Sequence, residues 1–344
     1  MNIETCPLVS VVVIGRNEGA RLVRCLESVK AISLRQGMRR EAAIEIIYVD
    51  SDSTDESPAR ARELGATVIQ VKPDRPSAAL GRNAGWRASR GEFVLFLDGD
   101  TILDPNFVIK ALPSFVDASV AVVFGHRREI NPRQSFYNRV LDLDWVSPCG
   151  AADYCGGDAL IRRSVLEAVN GYDETLIAGE EPEMCRRIRA REDVVLHVDL
   201  PMTGHDLAIT RWSQYWRRAY RTGHAYAEVA ERFRGTDMPL WDSEVRRNLK
   251  RGAFLLALPV MGVAASLAMW SLLPLLAVVA FLTLLVIRTS MKIAWKSPDK
   301  MTVLLYGIHS HLQQIPILFG QLAYRRARKA GRRQRLIEYK ESMQ

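Results

Sequence analysis

Between residues 8 and 125, short apolar runs rich in β-branched side chains alternate with segments of helical periodicity, and nothing else in the chain restricts its fold so strongly. "LVSVVVI" (8–14) reads as a strand ended by Gly15. Leu22, Leu26 and Val29 recur at helical spacing within Ala20–Ile32. "IEIIYVD" (44–50) is a second strand, and "SPARARELG" (57–65) a short helix with Ser57 as cap, Pro58 in the first turn and Gly65 as stop. "TVIQV" (67–71), "EFVLFL" (92–97) and "VAVVFG" (120–125) complete the strands; Ser77–Ala88 and Pro105–Phe115 are the intervening helices. This alternation predicts right-handed βαβ units and an α/β fold, its sheet mostly parallel and covered on both faces. Ligands of such sheets sit at the carboxyl ends of the strands.

Polar residues gather at that rim. Arg16, Asn17 and Glu18 follow the first strand, Asp50, Asp52 and Asp55 the second, and Asp98 and Asp100 the fourth. One aspartate there suits a turn or a cap, as Asp104 does before Pro105. Three clusters on one rim point to a binding site. Two carboxylates one residue apart suit a hard divalent cation, Mg2+ or Mn2+, that shares its shell with phosphates. Gly99 between them removes a side chain where phosphates would approach the backbone. Neither GxGxxG nor GxxxxGK[ST] occurs, so a nucleotide would be held by acidic and polar loops together with metal.

The formal net charge of +8 suggests an anionic partner: nucleic acid, acidic lipid or a phosphorylated substrate. The cysteines are five, scattered, and form no CxxC, which argues for reduced thiols rather than a disulfide frame or a zinc site. "MNIETCPLVS" has no basic n-region and no long apolar stretch, so no cleaved signal peptide is expected and the folded part is placed in the cytoplasm. Ala253–Ile287 runs 35 residues without a charge. A membrane span takes about 20, so this is one long tilted span or two short ones with a turn near Pro274. Arg246, Arg247, Lys250 and Arg251 precede it, and Arg288, Lys292 and Lys296 follow. Basic flanks on both sides favour a hairpin with both ends cytoplasmic, a re-entrant hairpin being the alternative.

Residues 210–233 form a long helical pattern with Trp212, Tyr215, Trp216 and Ala219 near one face and arginines interleaved. That mixture suits a membrane interface or base stacking. Leu304, Ile308, Leu312, Ile315, Phe319 and Leu322 make the apolar stripe of an interfacial helix kinked at Pro316. His309 and His311, two apart, would point in different directions and not form a metal pair. The tail cations Arg325, Arg326, Arg328, Lys329, Arg332, Arg333 and Arg335 suit an anionic cytoplasmic leaflet, which accounts for the net charge with no nucleic acid.

In order, "SVVVIGRNEG", "YVDSDSTDES", "LGRNAGWRASRGEFVLFLDGDTIL", "CGGDALIRRSVLEAVNGYDE" and "GEEPEMCRRI" resemble the family 2 glycosyltransferases of GT-A fold, over roughly residues 8–235. The resemblance implies a GT-A sheet with flanking helices, followed here by membrane helices. It makes Asp98 and Asp100 the DxD: Asp100 on the metal, Asp98 on the ribose or the metal shell. Arg16, Asn17, Glu18, Asp50, Asp52 and Arg82 become donor contacts, with Ser51 standing where the family often has Asp. Glu181 matches the catalytic base, usually Asp, with Glu180 as the alternative. Gly156, Gly157 and Asp158 fall on the acceptor side, and His205 where some GT-A enzymes bring a third metal ligand. "QYWRR" (214–218) approaches the QxxRW signature of processive members, with Arg in place of Trp. The expected division is a catalytic domain over 1–235 (nucleotide half 1–125, acceptor half 126–235), a basic linker over 236–252, a transmembrane hairpin over 253–290, and an interfacial helix with basic tail over 300–335. The implied activity is inverting, metal-dependent transfer of a sugar from a nucleoside-diphosphate-sugar, commonly a UDP-sugar. The acceptor would be a lipid-linked glycan or glycolipid at the cytoplasmic face of the inner membrane, in cell-envelope or exopolysaccharide synthesis. The alternative is a non-catalytic GT-A-like scaffold of a polysaccharide assembly complex, to which the departures at Ser51 and Glu181 would belong.

Overall fold

The computed structural model describes residues 8–32, 44–72 and 77–331. The N-terminal segment with Cys6, and the tail residues Arg332, Arg333 and Arg335, lie outside the described residues. The chain forms two compact units: residues up to Ile130 with Pro148–Leu207, and Asn131–Ser147 with Ala208 onward.

The first unit holds a sheet of strands β1 (Val9–Gly15), β2 (Ile44–Asp50), β3 (Thr67–Gln70), β4 (Phe93–Asp98), β5 (Thr101–Leu103), β6 (Val120–Glu129), β7 (Gly150–Ala151), β8 (Ala159–Arg162) and β9 (Val194–His205). Its helices are α1 (Ala20–Lys30), α2 (Ser57–Glu63), α3 (Ala78–Ala88), α4 (Phe107–Ala111), then, after α5 of the second unit, α6 (Arg163–Ala168) and α7 (Glu180–Arg189). The strand order is β3-β2-β1-β4-β8-β6-β9-β5, with β7 on β9. From β3 to β4 all pairs are parallel. β8 then enters antiparallel to both β4 and β6, while β6 and β9 are parallel. The apolar run 120–125 is therefore a strand as expected, but it joins the parallel block through an antiparallel neighbour. An apolar run carries no record of strand direction.

Side chains alternate across the sheet. Val9, Val11, Val13, Leu95 and Leu97 point into one core cluster with α1 and α4. Val12, Ile14, Val94 and Phe96 point into the other, with Trp86, Tyr172 and Ile188. Two covered faces are why these strands read as continuous apolar runs. Phe96 is fully buried and edge-on to Tyr172, with ring centroids 5.4 Å apart. Phe96→Ala is expected to cost about 3–5 kcal/mol, read as a lower denaturant midpoint with an unchanged m-value. Ser57 is not the cap of α2. That position is Glu56, and the Ser57 hydroxyl instead accepts a hydrogen bond from the Gly19 N–H at 3.0 Å.

The second unit holds α5 (Phe136–Asp142), α8 (Trp212–Phe233), α9 (Asp242–Ala268), α10 (Leu273–Ile293), α11 (Lys300–Leu312) and α12 (Gln314–Lys329). Residues 131–147 and 208–235, placed with the catalytic domain from sequence, thus group with the C-terminal helices. The basic stretch expected as a linker is helical from Asp242. The uncharged run splits into two helices at residues 269–272, and Pro274 opens α10, where its missing N–H costs nothing. α9 has mean hydropathy 1.6 in its most apolar window, and Leu273–Lys296 has 2.1; both are long and apolar enough to cross a membrane. α11 and α12 divide at Gln313, so Pro316 lies in the first turn of a new helix rather than kinking a single one. Of the expected stripe, Leu304, Ile308 and Phe319 are exposed and Leu312, Ile315 and Leu322 half-buried; the buried apolar side chains of these helices are instead Val303, Ile317, Leu318 and Tyr324. His309 is fully buried, with Nδ1 2.8 Å from the Tyr215 hydroxyl, whereas His311 meets Arg251, so the two rings do diverge.

Candidate active site

β1, β2 and β4 end side by side, with Gly15 beside Asp50 and Ile14 beside Asp98. The polar clusters predicted for one rim are therefore neighbours. The first two mainly brace each other. Asn17, in a left-handed conformation at φ 55, donates its N–H to the Ser53 hydroxyl at 2.9 Å, and its side-chain oxygen accepts from the Thr54 N–H at 2.8 Å. Asp50 is fully buried; its carboxylate accepts from the Tyr48 hydroxyl and the Ser53 N–H, both at 3.0 Å. Glu18 pairs with buried Arg21 at 3.0 Å. Arg16 and Asp52 are exposed, and Asp52 lies 4.0 Å from Lys72.

The centre of the site lies one strand over. Asp98, Asp100 and His205 bring donor atoms within 4.8 Å of one another. β5 and β9 make this meeting possible, because Thr101 pairs with His205 and the Asp206 N–H donates to the Asp100 carbonyl at 3.1 Å. His205 Nε2 is 3.5 Å from Asp100 Oδ1. Two carboxylates and an imidazole form a donor set that fits Mg2+ or Mn2+. The structure brings His205 close to the two acids with which the resemblance grouped it. Gly99 packs closely against β1. Its N–H donates to the Ile14 carbonyl at 2.8 Å, and a Cβ there would sit 3.1 Å from that oxygen and 3.2 Å from Glu18 Cγ. It is glycine because β1 packs against it.

Arg82, buried on α3, joins the acids. One guanidinium nitrogen donates to Asp98 at 2.8 Å and another to Glu180 at 2.9 Å. Burial opposes this charge, but Asp98, Tyr172 and Glu180 outweigh it and hold the guanidinium above its ordinary pKa. Gly157 lies against the same pair: a Cβ there would come within 2.8 Å of both Arg82 Nη2 and Asp98 Oδ2. Gly156 takes φ 79, the left-handed region glycine tolerates. Asp158, expected on the acceptor side, is buried. It is 2% exposed, accepts from the Asp98 N–H (3.1 Å) and the Thr203 hydroxyl (2.8 Å), and pairs with Arg127 at 3.0 Å. Burial raises its pKa against the pull of Arg127.

Glu180 and Glu181 open α7 and part company at once. Glu180 turns to Arg82, while Glu181 turns inward, its Oε1 accepting from the Cys155 N–H at 2.7 Å and the Cys185 thiol at 3.1 Å. Hydrogen bonding to Cys155 and burial hold the Cys185 thiol well above its ordinary pKa, so it stays protonated and donates. Sequence reasoning missed both cysteines. The i, i+4 spacing of Glu181 and Cys185 on one helix was the available signal.

Residues 10–169 match the model for "Glycosyl transferase family 2". The chain is 26% identical over 247 residues to a pre-mycofactocin glycosyltransferase of Mycobacterium tuberculosis, covering 67% of this chain and 49% of that protein. It is 23% identical to the probable glycosyltransferase YdaM of Bacillus subtilis, over 67% of this chain and 58% of that one. It therefore spans about half the length of these curated relatives. Among solved structures it is similar in fold to the mannosyltransferase PcManGT of Pyrobaculum calidifontis, in complex with GDP-Man and Mn2+. The TM-score is 0.61 at 20% identity, covering 92% of this chain and 87% of that one. The motifs, the mixed sheet and the family match agree: residues 10–169 match glycosyl transferase family 2, and the fold is that of the GT-A enzymes.

Proposed function

We propose that this protein is an inverting, metal-dependent glycosyltransferase that moves a sugar from a nucleoside-diphosphate-sugar to a lipid-linked acceptor. The observation that carries the reading is the convergence of Asp98, Asp100 and His205 within 4.8 Å, beside the Arg82–Glu180 pair. Asp98, Asp100 and His205 would hold Mg2+ or Mn2+, which when bound supplies Lewis-acid stabilisation of the departing diphosphate. PcManGT was solved with GDP-Man and Mn2+ and S. aureus TarS with UDP, which supports a donor of that class. Arg82 brings a buried positive charge to the same place, and the lack of a side chain at Gly157 leaves the Arg82–Asp98 pair uncrowded.

Of the two acids on α7, Glu181 is the better base. Glu180 is already engaged by Arg82 at 2.9 Å. Glu181 is fixed through Oε1, which leaves Oε2 as the atom that accepts the proton of the acceptor hydroxyl. A single base acting opposite the leaving group gives one displacement and inversion at the anomeric carbon.

The lipid-linked acceptor rests on the second unit. α9 and α10 form a hairpin whose exposed side chains are largely apolar, and Leu304, Ile308 and Phe319 add apolar surface on α11 and α12. Such surface suits a bilayer, with the basic start of α9 at its cytoplasmic face. The test is a transfer assay with purified full-length protein, UDP- and GDP-sugars, Mn2+, and either membrane lipid extract or water-soluble glycans. Turnover that requires the lipid extract is expected. Equal transfer to soluble glycans would remove the lipid-linked acceptor, and no transfer from any donor would favour a non-catalytic scaffold.

A further inference from the structure

We propose that His126, Cys149 and His197 form a zinc site, separate from the Asp98–Asp100–His205 group and independent of the sugar-transfer reading. Their donor atoms lie within 4.8 Å of one another. The topology brings them together from three distant stretches. His126 is on β6, His197 on β9, and Cys149 immediately precedes β7, whose Gly150 pairs with His197. The spacing of 23 and 48 residues is why counting cysteines pointed away from zinc.

Two imidazoles and a thiolate are ligands typical of zinc rather than magnesium or manganese. Each ring also sets one nitrogen against an oxygen, as metal-binding histidines do. His197 Nδ1 lies 2.9 Å from the Pro148 carbonyl, and His126 Nε2 lies 2.8 Å from an Asp199 carboxylate oxygen. A carbonyl or carboxylate on one ring nitrogen fixes the tautomer and directs the other nitrogen to the metal. His197 is further held by stacking on Phe124, with centroids 4.5 Å apart and planes at 7°. Tetrahedral zinc with bonds of about 2.0–2.3 Å sets its donors about 3.5 Å apart. Closing the site needs a shift of about 1 Å, and exposed Cys149 and half-buried His126 have room for it while buried His197 stays fixed. On binding, the Cys149 S–H bond breaks, its proton passes to buffer, and the sulfur–zinc bond takes its place. Water takes the fourth position.

The site would pin the start of the 148–158 segment to two strands of the sheet. That segment ends at Gly157 and Asp158, against Arg82 and Asp98. Zinc would thus order an approach to the reaction site without touching the reacting atoms.

The test uses full-length protein in detergent, stripped with a chelator and titrated with Zn2+ or Co2+ alone. The Asp100→Ala background removes binding at the donor site. One equivalent of Co2+ with a thiolate-to-cobalt absorption band is expected, together with slower hydrogen exchange over residues 148–158 on adding Zn2+. Cys149→Ser should abolish the band, and Asp199→Asn should weaken zinc binding roughly 10- to 100-fold, as loss of a group orienting a ligand does. Cys149 and Asp199 are exposed, so neither change endangers folding, and nucleotide binding with Asp100 restored checks this. The proposal is overturned if stripped protein gives no thiolate band. It is equally overturned if the band survives Cys149→Ser and disappears instead in Cys155→Ser or Cys185→Ser, which would move the metal to the buried thiols beside Glu181.

Discussion

Asp100→Ala is expected to lose Mn2+-dependent binding of a nucleoside diphosphate and to reduce turnover on the order of 10³-fold or more. A metal acting as Lewis acid contributes several kcal/mol, at about 1.4 kcal/mol per tenfold in rate. Asp100 is the acid of the pair that Arg82 does not grip, and it is buried beside His205 at 3.5 Å. Its charge has no role in the Arg82–Glu180 chain, so its removal should spare that part of the site. The check is a thermal-shift titration of UDP and GDP, with and without Mn2+, alongside the transfer assay. Wild-type protein should be stabilised only when metal and nucleotide are both present, and the variant by neither. Asp100→Asn separates charge from packing: it keeps the volume and should fail equally. A variant that retains the Mn2+-dependent shift and full turnover would show that the cation is held elsewhere.

Glu181→Gln is expected to lower kcat about 10²–10⁴-fold, the usual worth of a positioned general base, with little change in donor KM. The amide keeps an oxygen to accept from the Cys155 N–H and the Cys185 thiol, so α7 should stay in place. Glu180→Gln should behave differently. It loosens Arg82, which then loses one of its two carboxylate partners, and the loss should fall mainly on donor KM. Measuring kcat and KM separately for the two variants decides between the acids. Should Glu180→Gln cost the larger share of kcat, the base is Glu180 and the inward turn of Glu181 is structural.

Much of this was legible because the chain declares it through periodicity. The β1 to β4 strands, α1, α3 and the rim of acids follow from alternating apolar runs and where they stop. His205 could be brought beside Asp100 only by family resemblance; its register opposite Thr101 is a property of β9, far away in sequence. The burial of Asp158 and Asp50 was not legible, for one physical reason. A carboxylate at a strand end looks the same in sequence whether it faces solvent or accepts hydrogen bonds inside, and these two are buried among donors. The basic run before the uncharged stretch was taken for a linker because its charges hide the helical periodicity carried by Val245, Asn248, Gly252 and Leu255 on one buried face. Cys149 went unnoticed as a ligand because its companions lie on other strands.

β4 cannot change length. Leu95 and Leu97 belong to one core cluster, Val94 and Phe96 to the other, and Asp98 ends the strand in the same alternation. One codon inserted between Phe93 and Leu97 would send the later side chains of the strand to the opposite face. Each aliphatic residue would then meet the wrong core, and Asp98 would turn away from His205. Evolution could lengthen this molecule in many surface loops, but drift in the size of this one strand is closed to it.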